Sequence, residues 1–229
     1  MTVFSRRHFS VAVSAAFLGL GLLAVGPDGA RAQDAAPATA PQTPAAKFVQ
    51  ELGDRAILEL TDKTISDAER VKRMRAMLRQ SFDEVAVSRF VLGTYWNRAS
   101  EAEQKEFIGL YETLVSYTYA GLFKKYSGET FQVLRERDVS GDVVVYAQIN
   151  QPSGGQPIPI EILARPSQTN GTDGAYRAID IKVEGISMPL THRKEYASVI
   201  QRNQGQVAGL LKILREKSAS LESGSAAAN

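Results

Sequence analysis

The feature that most constrains the fold is a change of hydrophobic periodicity near residue 128 of the 229-residue chain. Before it, apolar residues recur every three or four positions, which is the spacing of amphipathic helices. After it, apolar and polar residues alternate, which is typical of half-buried strands. The helical spacing returns near residue 190. This order predicts an α+β fold, with several helices packed on one face of an antiparallel sheet of about four strands.

Capping signals indicate where several helices begin. Ser66 with Glu69, and Ser100 with Glu103, have the spacing of capping boxes. A glycine, Gly93, ends the third predicted helix. The predicted helices cover residues 46–60, 66–82, 83–92, 100–126, 190–201 and 207–221.

Four strands are predicted between the two helical regions, because apolar residues of each share one face. These faces are formed by Phe131 and Val133, then Val143, Val145, Ala147 and Ile149, then Ile158, Ile160, Ile162 and Ala164, and last Ile179, Ile181 and Val183. Gly-rich and Asp- or Asn-containing turns separate them, which is typical of antiparallel hairpins.

The N-terminus has the organisation of an export signal. Arg6 and Arg7 precede Phe9 and an apolar run over residues 11–25, and Ala30 and Ala32 follow as a small-residue cleavage site. We expect cleavage after Ala32 and export to the periplasm. The paired arginines resemble a twin-arginine signal, and an ordinary Sec signal is the alternative.

The chain after the predicted signal peptide divides into three parts. Residues 33–45 are rich in Ala, Pro and Thr, and we expect a flexible leader there. Residues 46–221 form the predicted folded domain. Residues 222–229 are rich in Ser, Gly and Ala, and we expect a disordered tail.

Composition argues against most catalytic and nucleic-acid functions. The chain has no cysteine and a formal net charge of +2, which disfavours thiol chemistry and nucleic-acid binding. After cleavage His192 is the single histidine, too few for a usual catalytic zinc site. No phosphate-binding glycine motif is present. We therefore predict no cofactor, no metal and no catalytic residues, and a protein that binds rather than catalyses.

The helical region carries more apolar surface than one buried stripe requires. In the longest helix, Val115, Tyr117, Tyr119 and Phe123 lie off the main apolar row. Simple core packing is one explanation. The other is a dry cleft between helices and sheet that binds an apolar ligand. The inward-facing candidates for lipid binding are Phe90, Trp96, Leu110, Leu114, Val133, Val145, Ile160, Ile162, Ile179 and Ile181.

The second helix is basic on one side. Lys72, Arg75 and Arg79 are spaced to lie together beside its apolar stripe. A solvated face would explain them. They are also candidates for contact with lipid headgroups or an acidic partner.

Several segments resemble the MlaC family of periplasmic auxiliary transport proteins. The likeness covers about residues 46–216. The matching segments are Arg89-Phe90-Val91-Leu92-Gly93, Tyr95-Trp96, Glu103-Gln104, Glu106-Phe107, Tyr119-Ala120, Tyr126-Ser127-Gly128-Glu129, Val183-Glu184-Gly185 and the helix from Tyr196 to Asn203.

This resemblance implies a periplasmic shuttle that carries phospholipid between an outer-membrane lipoprotein complex and an inner-membrane ABC transporter. It implies an α+β fold that encloses an acyl-chain pocket, and we expect a monomer. The region 191–207 also resembles the branch associated with hopanoid biosynthesis, so a polycyclic lipid is an alternative ligand.

Two other functions compete with the carrier. An adaptor with a closed core would dock to membrane complexes through the basic helix and would have no pocket. A lipid hydrolase would need Ser187 as nucleophile and His192 as base, although the glycine pattern of a nucleophile elbow is incomplete around Ser187.

Overall fold

The computed structural model describes residues 43–167 and 175–227, with side chains up to residue 224. This part of the chain has an α+β fold, as the periodicity predicts. The α-helices are α1 Pro44–Leu60, α2 Asp67–Ser81, α3 Glu84–Leu92, α4 Glu101–Phe123, α5 Met188–Arg202 and α6 Val207–Ala227, with a 3-10 helix over Gly93–Arg98. The strands are β1 Thr130–Val139, β2 Asp142–Asn150, β3 Ile158–Pro166, β4 Tyr176–Val183 and β5 Ile186–Ser187.

The strands form one antiparallel sheet in the order β1-β2-β3-β4-β5. Its fifth strand has only two residues, which explains why alternation in the sequence indicates four. Pairing of Phe131 with Ile149, and of Ile149 with Ile158, places one row of large apolar side chains across β1, β2 and β3. This row lies on the face that the helices cover.

Capping hydrogen bonds begin α2 and α4 where the sequence predicts them. The Ser66 hydroxyl accepts from the Glu69 backbone N–H at 3.2 Å. At Ser100 both halves of the capping box are present. Arg70, in the first turn of α2, is buried, and its guanidinium donates to the main-chain carbonyls of Leu60 and Asp62. These bonds tie α2 to the end of α1, because the last carbonyls of a helix lack partners within it.

Two predicted boundaries differ from the structure. Helix α1 begins at Pro44 with Thr43 as its N-cap, so the last residues of the predicted leader belong to the fold, and Ala45 is buried. Helix α6 continues to Ala227 and so includes residues 222–227 of the predicted disordered tail, whose last two residues lie outside the described ones. Neither Pro nor paired glycines interrupt that tail, and the single Gly224 costs a helix only about 1 kcal/mol.

The predicted signal peptide and residues 33–42 of the leader lie outside the described residues. Within the described ranges, no helix is both long and apolar enough to span a bilayer.

The buried apolar residues form three clusters instead of one continuous core. The first joins α3, α4, α5 and α6, and includes Trp96, Phe107 and Leu210. The second joins α1 to the sheet. The third joins α1 and α2 to α4, and includes Met77. A domain of this size ordinarily has one contiguous core, so the junction of three clusters is where packing is least complete.

Candidate functional site: an apolar cavity

A cavity of about 570 Å³ lies where the three clusters meet. Its wall includes Val87 and Tyr111 from the first cluster, Ile160 from the second, and Leu52 and Met77 from the third. Its volume falls in the range of about 300–1,000 Å³ that is usual for small-molecule sites. The cavity is therefore a gap between packed layers of the fold, and most of its wall is apolar.

The sheet supplies one wall of the cavity. On β3, Ile158, Ile160 and Ile162 line it at alternate positions, as the pleat requires. On β4, Ile181 pairs with Ile162, whereas Ile179 is an extra residue between the partners of Leu163 and Ala164. Ile179 nevertheless lies two residues from Ile181, so ordinary strand alternation places both side chains on the same wall.

Helix α4 supplies the opposite wall because it has two apolar faces. One face packs in the first cluster, where Phe107 and Leu114 are buried. The other lines the cavity with residues at helical spacing, which are Ile108, Tyr111, Glu112, Val115, Tyr119, Leu122 and Phe123. Three residues that the sequence analysis placed off the main row, Val115, Tyr119 and Phe123, are on this wall. A second apolar face on one helix was thus the sequence signal for the cavity.

The cavity reaches the protein surface near the end of α4. Leu122 lines the cavity and is 58% exposed. Lys125, Tyr126 and Glu129, which follow in the α4–β1 connection, also belong to its wall. Polar side chains are therefore concentrated at one end of a mainly apolar cavity, which is the arrangement expected at an opening.

Four of the ten predicted lipid-binding residues line the cavity. They are Ile160, Ile162, Ile179 and Ile181. Val133 and Val145 share the apolar face of the sheet but are fully buried, because Ala45 and Val49 of α1 cover that part of it. Alternation along a strand identifies the inner face of a sheet and does not show which helix covers it.

The other four candidates lie among the helices and do not line the cavity. Trp96 and Leu114 are buried in the first cluster, and Leu110 packs against it. Phe90 is 41% exposed on α3, with the guanidinium carbon of Arg193 at 5.0 Å from its ring centroid. In each case a neighbouring helix or an arginine side chain, and not the sheet, covers the apolar side chain.

The three basic candidates of α2 form ion pairs within the chain. Lys72 Nζ lies 3.6 Å from a Glu69 carboxylate oxygen. Arg75 Nε and Arg79 Nε lie 3.7 Å and 2.7 Å from Glu112 on α4. These pairs balance much of the positive charge of the helix, and they place two arginines beside a glutamate of the cavity wall.

A tyrosine–histidine pair is the main polar feature inside the cavity. Tyr111 Oη lies 2.7 Å from His192 Nδ1, and both side chains line the cavity. Burial lowers the pKa of His192 and raises the pKa of Tyr111, which favours the uncharged form of each. The hydrogen bond then joins two uncharged groups, so the pair adds no charge to the apolar wall.

The residues of the hydrolase hypothesis are not assembled as a catalytic triad. The Ser187 hydroxyl donates to Asp180 Oδ1 at 2.9 Å and accepts from the Leu190 backbone N–H at 3.1 Å. It is thus the N-cap of α5, while His192 pairs with Tyr111. A triad requires the base to bond the nucleophile and the acid to orient the base. Among the described residues, no group of His, Asp and Glu side chains could hold a metal ion.

Taken together, these features define an α+β protein in which an antiparallel sheet and a helical layer enclose an apolar cavity. The profile of the MlaC protein family matches residues 50–216, and the chain belongs to this family. A phospholipid-binding protein from Ralstonia solanacearum, solved in complex with a phospholipid, has a similar fold. The TM-score is 0.65 at 21% identity, over 77% of this chain and 97% of that one.

Proposed function

We propose that this protein is a periplasmic lipid carrier. In this proposal the apolar cavity holds the acyl chains of a phospholipid while the protein moves between the outer and inner membranes. It acts as the soluble component of an ABC-type transport system, with an outer-membrane lipoprotein complex and an inner-membrane ABC transporter as partners. The protein binds and releases lipid and performs no chemistry on it.

The observation that carries the proposal is the open apolar cavity of about 570 Å³ between sheet and helices. A closed adaptor would have no such space. Membership in the MlaC family and the phospholipid bound to the Ralstonia protein support a lipid as the ligand. The export signal predicted over residues 1–32 supports the periplasm as the compartment.

The size of the hydrophobic effect explains why such a carrier needs a cavity. Moving an acyl chain of about 16 carbons into water costs on the order of 12 kcal/mol, at about 0.8 kcal/mol per methylene. A cavity wall of isoleucine, methionine and phenylalanine side chains offsets most of this cost. The free energy of burying the chain in the cavity must be close to that of burying it in a membrane, because a much tighter site would retain its lipid.

Lipid analysis of the native protein tests the proposal. The mature protein is purified without detergent, extracted with organic solvent, and the extract is examined by mass spectrometry. We expect phospholipid at a near-stoichiometric amount. If polycyclic lipid is recovered instead, the carrier stands and its cargo is that of the hopanoid-associated branch. Protein that is lipid-free, and that takes no lipid from vesicles, contradicts the proposal.

A variant that fills the cavity links lipid uptake to the site itself. Ile158 lies on the cavity wall and is only partly buried, so Ile158→Trp adds volume there without overfilling a closed core. We expect it to lower uptake of fluorescent phospholipid from vesicles at least several-fold. The matched control is Ile213→Trp, on the exposed side of α6 and away from the cavity wall. Equal uptake of phospholipid by the two variants would show that the lipid binds outside this cavity.

A further inference from the structure

A polar cleft of about 650 Å³ lies directly beside the apolar cavity. Its wall includes three arginines and two carboxylates, Arg79, Arg165, Arg177, Asp83 and Glu84. Phe82 and Glu84 line both the cleft and the cavity, so the two spaces share a boundary. A ligand with a polar and an apolar part could therefore occupy both spaces at once.

The arginines of the cleft are held in place by bonds to the fold. Arg177 Nη1 donates to the Arg79 carbonyl at 2.9 Å and also to the Gln80 carbonyl at the end of α2. Arg165 forms a two-point pair with Asp142, at 2.9 Å and 2.8 Å. A guanidinium has five N–H donors in a rigid fork, and this geometry suits phosphate. Anchored arginines keep their orientation without losing further conformational freedom on binding.

Glu84 differs from Asp83, the other carboxylate of the cleft, because it has a buried oxygen without a partner. Its Oε1 atom accepts no hydrogen bond from any described residue. Asp83, by contrast, accepts from the Ala86 backbone N–H at 2.9 Å and caps α3. Burial and the nearby Glu112 carboxylate raise the pKa of Glu84, while Arg79 and Arg177 act against this rise. A buried unpaired carboxylate oxygen is costly, and a ligand that donates a hydrogen bond would remove this cost.

We propose that the cleft selects a phospholipid headgroup that carries both a phosphate and a primary ammonium, of the phosphoethanolamine type. The inference rests on the proposed carrier function. Arg79 and Arg177 contact the phosphate, Glu84 accepts from the ammonium, and the acyl chains pass Phe82 into the cavity. A glycerol headgroup can donate a hydroxyl hydrogen bond to Glu84 but brings no positive charge, so it lacks the charge-assisted bond that an ammonium makes. A choline headgroup has the charge but no N–H to donate.

Competition between headgroups tests the inference. Delipidated mature protein is incubated with vesicles that contain equal amounts of phosphatidylethanolamine, phosphatidylglycerol and phosphatidylcholine with the same acyl chains, and bound lipid is quantified by mass spectrometry. We expect enrichment of phosphatidylethanolamine over both others. Glu84→Gln should lower this enrichment about tenfold, the effect of one charge-assisted hydrogen bond. Arg177→Gln should weaken retention of all three lipids.

The control is Glu216→Gln, the same chemical change at an exposed position of α6 outside both spaces, which should keep the wild-type ratios. Thermal unfolding of each variant shows that it is folded. Equal uptake of the three lipids by the wild type, or an unchanged ratio in Glu84→Gln, overturns the headgroup inference and leaves the carrier intact. Failure to take up any phospholipid overturns the carrier itself. Glycerophosphoethanolamine, which lacks chains, should bind far more weakly than the lipid, and equal affinity would make the cleft a separate site.

Discussion

His192 is a titratable side chain of the cavity wall. It lines the apolar wall, contacts Tyr111 and Tyr196, and has Glu195 and Lys217 in its electrostatic surroundings. Burial lowers the pKa of His192 below the usual value of 6.5 for a histidine. The unfolded chain then binds a proton at a higher pH than the folded one does. Stability from this group is complete above about pH 6.5 and is lost as the pH falls toward the folded pKa.

This predicts a loss of stability on acidification that depends on the imidazole. We expect the free energy of unfolding in urea to fall between pH 7.5 and pH 5, and to fall less in His192→Gln, which keeps a polar group near Tyr111. Glu84 and Asp180, whose pKa values are raised by burial, act in the opposite direction and are common to both proteins. An equal fall in the free energy of unfolding of both proteins would show that a group other than His192 causes the loss.

The close approach of α1 to β1 depends on one glycine in the middle of the helix. A Cβ added at Gly53 would lie 2.2 Å from the Phe131 ring, and both residues line the cavity. Gly53→Ala must therefore displace the ring, a kind of overpacking that costs about 1–3 kcal/mol. The gain in helix propensity offsets only about 1 kcal/mol of this cost.

We thus predict that Gly53→Ala destabilises the protein by about 1 kcal/mol, measured by urea unfolding. In α4 the same substitution at Gly109 meets no atom within 4 Å, so Gly109→Ala should be neutral or stabilising. In a Phe131→Ala background the clash disappears, and Gly53→Ala should then stabilise. A similar cost of Gly53→Ala with and without the Phe131 ring would refute this account.

The elements of this fold were more predictable from sequence than the contacts between them. Helix and strand periods and the caps at Ser66 and Ser100 are local, so they appear in the sequence. The wall formed by Ile160 and Ile162 was predictable because β3 alternates along its whole length. The burial of Val133 beneath α1 was not predictable from the sequence. It depends on where a helix more than 80 residues earlier in the chain crosses the sheet.

Three apolar clusters that meet at a cavity make the stability of the fold depend on what fills it. An empty cavity leaves Met77, Ile160 and Phe123 without packing partners on one side. A bound acyl chain supplies those contacts in the folded state alone, so lipid should stabilise the protein by mass action. At a free lipid concentration of 100 times Kd the gain is about 2.7 kcal/mol.

We therefore predict that delipidated protein melts at a lower temperature than protein reloaded with phospholipid. For a domain of this size the gain corresponds to a rise in Tm of about 5–10 °C, measured by differential scanning calorimetry. The rise in Tm should increase with lipid concentration. When only the folded state binds lipid, the stabilisation grows with the logarithm of the free lipid concentration. Ile158→Trp should reduce the rise, whereas Ile213→Trp should keep it. A Tm that does not respond to lipid would mean that the cavity wall is stable when empty and that hydrocarbon binds elsewhere.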